Sequence, residues 1–179
     1  MTKEPIIESG MTFGPYPDGH CFYIEKSPTI KKINKNAQKG EGLQIAEFLL
    51  LETKNNQATV FIIEAKTSSP QPANQTDFDR YINEIKEKLA NSLALFVALY
   101  IQRHSKSYSE LSDHFRQLEI SNVNFLLILV IQNSKDEWLP PLHETLRKAL
   151  RLTVKIWNLT PTSVIVLNEE GARKRGLIS

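Results

Sequence analysis

An acidic and a basic residue, Glu64 and Lys66, lie two positions apart at the end of the apolar run 58–66. Side chains two positions apart on a β-strand point to the same face, so a strand here would place the carboxylate beside the ammonium. Two charged groups at the end of a buried strand are costly unless they are paired or bind something. The pair is therefore the first candidate for a functional site.

The same Glu-x-Lys pattern occurs at two other places, Glu52–Lys54 and Glu84–Lys86. The first lies in a polar stretch that predicts a hairpin loop over residues 52–57. The second lies in a helical pattern, where residues two apart point in nearly opposite directions around the axis. We therefore expect neither of these matches to bring its two charges to one point.

A second acid, Glu47, interrupts the apolar face of a strand pattern over residues 43–51. An antiparallel hairpin between this strand and the next would place residue 47 opposite about residue 63. Glu47 and Glu64 would then lie side by side on one face of the sheet. The sequence thus predicts two carboxylates and one ammonium within a small volume.

These groups suit metal-assisted hydrolysis of a phosphodiester. Mg²⁺ prefers hard oxygen ligands such as carboxylates, and it can polarise a phosphoryl oxygen and lower the pKa of a bound water. Glu47 and Glu64 are the candidate ligands, and the backbone carbonyl of Ala65 is a further one. Lys66 would position the water and offset the charge that develops in the transition state.

The order of these motifs resembles the PD-(D/E)XK nuclease superfamily, which has the restriction-endonuclease-like fold. The resemblance covers about residues 20–135, with Glu47 at the place of the usual Asp. It implies an αβββαβ core, Mg²⁺ or Mn²⁺ as cofactor and nucleic acid, DNA by expectation, as substrate. It also implies that Glu47 and Glu64 hold the metal, that Lys66 is the catalytic lysine, and that the protein acts as a homodimer or within a larger complex.

Two further groups of charged residues are candidates for the same site. A strand predicted over residues 20–27 is expected to lie next to the Glu47 strand, so that Glu25 is a third candidate metal ligand. Alternatively, Glu25 pairs with Lys26 or lies at a solvated strand end. Residues 26–42 predict a basic loop, which could follow a phosphate backbone or could simply be solvated. The lysines of this segment are Lys26, Lys31, Lys32, Lys35 and Lys39.

Length and composition indicate one globular domain over residues 1–179, with 41% hydrophobic and 23% charged residues. The net charge of +2 is too small to attract nucleic acid by itself, so any contact must come from local clusters. The single cysteine, Cys21, excludes an internal disulfide and a four-cysteine zinc site. The chain shows neither a signal-peptide pattern nor an apolar run long enough to span a membrane, so the cytoplasm is the expected compartment.

The order of the predicted elements favours an α/β fold with a mixed β-sheet flanked by helices. Residues 1–19 are expected to form an irregular arm with at most one short strand. The predicted strands are 20–27, 43–51, 58–66, 124–131, 154–157 and 164–167, and the predicted helices are a long one from Thr76 or Asp77, a short one around 108–118 and one from Pro140.

Two other functions remain open from the sequence. The chain could keep the nuclease fold without cutting, as a module that binds nucleic acid or a protein. It could also be an interaction protein in which Glu64 and Lys66 form only an ion pair.

Overall fold

The structure, a computed structural model, describes residues 4–179 and is built around a five-stranded mixed sheet. The strand order is β3-β4-β5-β6-β7, with antiparallel pairing up to β5 and parallel pairing from β5 to β7. A separate antiparallel hairpin is formed by β1 and β2. The strands are β1 (Ile6–Glu8), β2 (Met11–Phe13), β3 (Cys21–Phe22), β4 (Phe48–Lys54), β5 (Gln57–Lys66), β6 (Asn124–Ile131) and β7 (Val164–Asn168).

Helices connect the parallel strands of the sheet. A long helix, α2, joins β5 to β6, and α4 with α5 joins β6 to β7. The predicted α/β fold, with a mixed sheet and flanking helices, is confirmed. The helices are α1 (Pro28–Ile33), α2 (Gln75–Tyr100), α3 (Asp113–Arg116), α4 (Leu139–Ala149), α5 (Arg151–Ile156) and α6 (Glu169–Lys174).

The sheet is buried on both faces, because alternate residues of its strands contribute to two separate cores. Leu49 and Ile62 point toward α2 and α4, whereas Leu50 and Ile63 point toward the β1–β2 hairpin and α6. The strand β6 is apolar on both faces, as expected of a central strand. No helix within residues 4–179 is both long and apolar enough to cross a membrane.

The N-terminal arm is more ordered than the sequence suggests. Residues 1–19 were expected to be irregular, but their described part contains the hairpin β1–β2. Its turn residues, Ser9 and Gly10, have φ angles of 48° and 77°, which is the left-handed backbone that a tight two-residue turn requires. Met11 and Phe13 on β2 are buried against the sheet. The hairpin is thereby fixed to the domain.

The segment before β4 differs from the predicted strand and loop. The strand expected at 20–27 is limited to β3 and is followed by a 3₁₀ turn. The predicted basic loop 26–42 contains α1, because Pro28 suits a first helical turn and Ser27 Oγ accepts a hydrogen bond from Ile30 N at 3.1 Å. The strand predicted from residue 43 begins only at Phe48. The region before β3 is a hairpin, and the first helix lies between β3 and β4, not before the sheet.

The strand predicted at 154–157 is wrong, since these residues lie in or next to helix α5. Val154 continues the four-residue spacing of Leu142, Leu146 and Leu150, and all four side chains are buried. Helical burial therefore overrides the β-propensity of the branched residues. The long helix α2 agrees with its prediction except at its start, where Asn74, and not Thr76 or Asp77, is the cap.

Candidate functional site

The candidate acids lie where β4 and β5 separate. The last residue pair of this hairpin is Phe48 with Ile63, so the end of β5 extends beyond its partner strand. Glu47 directly precedes Phe48, and its amide still donates to the Ile63 carbonyl at 3.1 Å. Glu64 is the next residue of β5, and its charge raises the pKa of Glu47. The structure thus brings the two predicted carboxylates together.

Glu64 is fully buried and shares one oxygen between two lysines. Its Oε1 accepts a hydrogen bond from Lys88 Nζ at 2.8 Å and lies 3.4 Å from Lys66 Nζ. Its Oε2 is buried and has no hydrogen-bond partner among the described residues. Burial raises the pKa of Glu64 above its ordinary value, and the charges and hydrogen bonds of Lys88 and Lys66 offset this rise only in part. One oxygen of the carboxylate is therefore satisfied, whereas the other is buried without a hydrogen-bond partner within residues 4–179.

Lys66 has a closer partner than Glu64. Its Nζ lies 2.6 Å from Oε1 of Glu84 on helix α2. Burial lowers the pKa of Lys66, but its bonds to Glu84 and Glu64 outweigh burial and raise the pKa overall. The predicted catalytic lysine is thus shared between two carboxylates. Of the other two Glu-x-Lys matches, Glu52 and Lys54 also pair, at 3.1 Å near the surface, contrary to expectation.

Three carboxylates converge next to Glu64. One oxygen each from Glu8, Glu25 and Glu47 can be chosen so that all lie within 4.8 Å of one another. None of the ion pairs found among residues 4–179 involves these three groups. The cluster therefore concentrates negative charge without a paired cation.

The electrostatics of the cluster are visible in its most buried member, Glu47. Burial first, and then the charges of Glu64, Glu25 and Glu8, together raise the pKa of Glu47 to about 8. The pKa of Glu8 is also raised, by burial and then by Glu25, although Lys26 and Lys88 lower it. Like charges this close favour the uptake of a proton or of a cation.

The donor set fits a hard divalent cation. Mg²⁺ and Mn²⁺ prefer carboxylate oxygens, at about 2.1 Å for Mg²⁺, and retain several waters. Glu8, Glu25 and Glu47 offer such oxygens with small side-chain adjustments, and Glu64 is not a member of this group of three. The Ala65 carbonyl, expected as a ligand, instead accepts a hydrogen bond from Ser9 Oγ at 2.9 Å. That bond fixes the hairpin to the end of β5.

Helix α2 is fixed to the backbone that leads into Glu47. Ser92, which is fully buried, accepts a hydrogen bond from Ala46 N at 2.8 Å and donates one to the Lys88 carbonyl at 2.7 Å. Asn91 Nδ2 donates to the Gln44 carbonyl at 3.0 Å. Lys88 is thereby positioned over Glu64, with its side chain only 13% exposed.

Sequence reasoning missed Glu8, Lys88 and Glu84. A Ser-Gly pair between short apolar stretches could have indicated the hairpin that carries Glu8. The spacing of Glu84, Lys88 and Ser92 places them on one face of α2, which could have indicated a polar stripe toward the sheet. That this stripe meets Glu64 depends on how the helix packs, which spacing alone does not determine.

An open cleft of about 340 Å³ lies beside the acids. Lys31 is the one lysine of the predicted basic segment that lines it, and Lys26 instead lies over the Tyr23 ring at 3.9 Å. A larger cleft, of about 790 Å³, is at the opposite end of the parallel strands and has no acid or lysine in its lining. The residues that line the smaller cleft are Glu25, Ile30, Lys31, Asn34, Leu43, Gln44, Ile45 and Lys88.

Comparisons of the chain with protein-family models, curated proteins and solved structures found no match. Its function is therefore inferred from the residues of the site.

Proposed function

We propose that this protein is a metal-dependent nuclease that hydrolyses phosphodiester bonds in nucleic acid, with DNA as the expected substrate and Mg²⁺ or Mn²⁺ as the cofactor. The observation that carries the proposal is the cluster of Glu8, Glu25 and Glu47, whose member Glu47 precedes the strand paired with the strand of Glu64. It agrees with the nuclease resemblance in the sequence, although Glu8 was not among the residues expected there.

Electrostatics support a bound cation at this cluster. Two unit charges at 4 Å interact by about 4 kcal/mol at the effective dielectric near a protein surface. When all three carboxylates are ionised and have no paired cation, they would therefore repel the anionic backbone of a nucleic acid. A divalent cation would remove that repulsion and supply positive charge where the scissile phosphate must lie.

Each group has a separate task in the proposed reaction. Glu47, Glu8 and Glu25 would hold the metal, whose chemistry is to polarise the phosphoryl oxygen and acidify water. Water adds to phosphorus and one P–O ester bond breaks, which leaves a phosphomonoester and a free hydroxyl. Lys66 keeps its predicted task of orienting the water, for which its ammonium has a third donor beside those directed at Glu84 and Glu64.

The proposed nuclease would act in the cytoplasm, which is the compartment expected from the sequence. The resemblance implies a homodimer or a subunit of a larger complex, and both remain part of the proposal.

Calorimetric titration with Mn²⁺, combined with cleavage assays, tests this function. We expect the wild type to bind Mn²⁺ and to cut plasmid or single-stranded DNA only when a divalent metal is present. Glu47→Gln preserves size but removes a ligand charge, and it should lower metal affinity by about tenfold or more and abolish cleavage. Glu87→Gln changes an exposed carboxylate of α2 and is the matched control.

The results separate the candidate functions. Absence of Mn²⁺ binding in the wild type contradicts a metal-dependent nuclease. Metal binding without cleavage of DNA or RNA favours a nuclease-like module that binds but does not cut. A Glu47→Gln variant that cleaves normally would exclude this cluster as the catalytic site.

A further inference from the structure

We infer that the cleft beside the acids receives the substrate phosphodiester, and that Lys88 on helix α2, together with Lys31 on α1, contacts its phosphate oxygens. This inference rests on the proposed nuclease function and deepens it. It assigns the phosphate contact to Lys88 instead of Lys66. Within the predicted basic segment, it limits the phosphate contact to Lys31.

The contacts of the two buried lysines distinguish their tasks. Lys66 Nζ is held by Glu84 at 2.6 Å and by Glu64 at 3.4 Å, so two carboxylates compensate its charge. Lys88 Nζ has one such partner, Glu64 at 2.8 Å. An ammonium has three donors, so Lys88 can keep this bond and still donate to a phosphate oxygen.

The position of Lys88 also favours a substrate contact. Its side chain lines the cleft together with Glu25, which belongs to the acid cluster. A phosphate bound in the cleft could therefore reach both the proposed metal ligands and the Lys88 ammonium.

Backbone anchoring makes this position precise. Ser92 bonds both the Lys88 carbonyl and the amide of Ala46, which is the residue before Glu47. Lys88 and Glu47 are thus linked through the two hydrogen bonds of Ser92 and the peptide bond between Ala46 and Glu47. Catalytic constellations need support of this kind, because small displacements of a charged group are costly to the rate.

The cleft has the size and lining for part of a nucleotide chain. Its volume of about 340 Å³ lies at the lower end of the range for small-molecule sites. Lys31 lines it, whereas its neighbour Lys32 does not. The lining contains two lysines and one acid, so its net charge is positive. A cation bound at the cluster would add further positive charge. An anionic segment is therefore the ligand that fits.

Fluorescence anisotropy with a labelled phosphorothioate oligodeoxynucleotide in Mn²⁺ measures this contact without depending on turnover. We expect Lys88→Gln to weaken binding by about tenfold, the effect of losing one hydrogen bond to a charged group. The slope of log Kd against the logarithm of the salt concentration should decrease by about one for each lost phosphate contact. Lys31→Gln should weaken binding more than Lys32→Gln, and Lys66→Gln should weaken it less than Lys88→Gln.

Controls separate this contact from folding. Both Lys88→Gln and Lys88→Arg keep a donor for the buried Glu64 carboxylate, so both variants should fold. Lys88→Arg also keeps the positive charge, so it should restore much of the oligonucleotide affinity. Lys86→Gln on the same helix is the matched surface variant. Urea unfolding and Mn²⁺ titration of Lys88→Gln should show a folded protein that still binds the metal.

The outcomes keep the two proposals apart. If the wild type cleaves DNA but Lys88→Gln binds the oligonucleotide normally, the nuclease stands and the Lys88 contact is wrong. If the wild type neither cleaves nor binds Mn²⁺, yet Lys88→Gln and Lys31→Gln lose oligonucleotide affinity, the cleft stands and the nuclease fails. If Lys66→Gln loses as much oligonucleotide affinity as Lys88→Gln, or more, the phosphate contact belongs to Lys66 and the inference is wrong.

Discussion

At the scale of single residues, Glu47 carries the strongest electrostatic signal of the site. Its pKa is about 8 in the folded protein, against an ordinary value near 4.5. The charged groups that raise its pKa are Glu64, Glu25 and Glu8, and Lys88 on helix α2 bonds to Glu64 at 2.8 Å. Between these two pH values the folded state holds a proton that the unfolded chain has lost. The free energy of unfolding should therefore fall as pH rises from about 4.5 to about 8.

Thermal unfolding in EDTA across this pH interval checks that expectation. Tm should decline with rising pH in the wild type and decline less in Glu47→Gln, whose amide does not titrate. Addition of Mn²⁺ should reverse the decline at the upper end, since the cation stabilises the ionised carboxylates. An identical pH profile for wild type and variant would show that Glu47 titrates normally.

Removal of the Glu64 carboxylate should be costly, because it is the shared partner of two partly buried lysines. Its side chain is 0% exposed, and those of Lys88 and Lys66 are 13% and 24% exposed. We expect Glu64→Ala to lower the free energy of unfolding by about 2–4 kcal/mol, measured by urea denaturation. This loss is smaller than that expected for a fully enclosed ion pair, because the two lysines can partly reach water.

The surface pair of Glu52 and Lys54 provides the comparison for that measurement. Their separation is 3.1 Å, close to those in the buried pairs, but Lys54 is exposed to solvent. Glu52→Ala should therefore cost about 1 kcal/mol or less. Equal costs for the two substitutions would mean that Glu64 is only an ordinary ion pair, as one of the alternatives from the sequence holds.

The acids on β4 and β5 could be predicted from the sequence, whereas their neighbours could not. A period of two and a polar turn are enough to place Glu47 beside Glu64, because both depend on local geometry. Glu8 and Lys88 reach the site through contacts between segments far apart in the chain. Such contacts depend on packing angles and on which faces of the elements meet, and no short pattern encodes them.

At the scale of elements, the hydrogen bonds of Ser92 should matter for both stability and the site. Ser92→Ala leaves the buried Ala46 amide without its acceptor, which typically costs about 1–3 kcal/mol. Because the same hydroxyl bonds the Lys88 carbonyl, oligonucleotide affinity should fall as well.

Urea unfolding and anisotropy of the Ser92→Ala variant measure these two effects. Ser109→Ala, which removes an exposed hydroxyl that bonds the Lys106 carbonyl, should change the free energy of unfolding by about 0.5 kcal/mol or less. A Ser92→Ala variant as stable as the Ser109→Ala variant would show that the amide of Ala46 finds another acceptor.

Elements with long, uniform patterns were the ones that the sequence predicted well. Helix α2 and strand β6 are identified by their periodicity and by an unbroken apolar run, respectively. Short elements were missed or misread, since α1, α5 and the strands of the hairpin have few residues each. Their conformation is decided by capping at Ser27, by burial of Val154 and by the positive φ of Ser9, which local propensity represents poorly.

At the scale of the whole molecule, a cation at the acid cluster would join three separate parts of the fold. Its ligands come from the hairpin, from the turn after β3 and from the start of β4. Mn²⁺ at one hundred times its Kd should therefore raise the free energy of unfolding by about 2.7 kcal/mol, and Tm should rise with it. Scanning fluorimetry with increasing Mn²⁺ measures this effect.

Glu8→Gln tests whether the hairpin contributes to that stabilisation. The substitution should reduce the Mn²⁺-dependent rise in Tm while leaving Tm in EDTA unchanged or higher, because it removes one of three repelling charges. A rise equal to that of the wild type would place the cation elsewhere and would contradict the participation of the hairpin.

The hairpin also meets the C-terminal residues of the chain. Phe13 pairs with Ile178, the Gly14 amide donates to the Leu177 carbonyl at 3.1 Å, and Ser179 N donates to the Thr12 carbonyl at 3.3 Å. These contacts hold β2, which pairs with the strand that carries Glu8. If the cluster binds a cation as proposed, a substitution among residues 177–179 would therefore change the metal affinity through the hairpin, without removing a ligand.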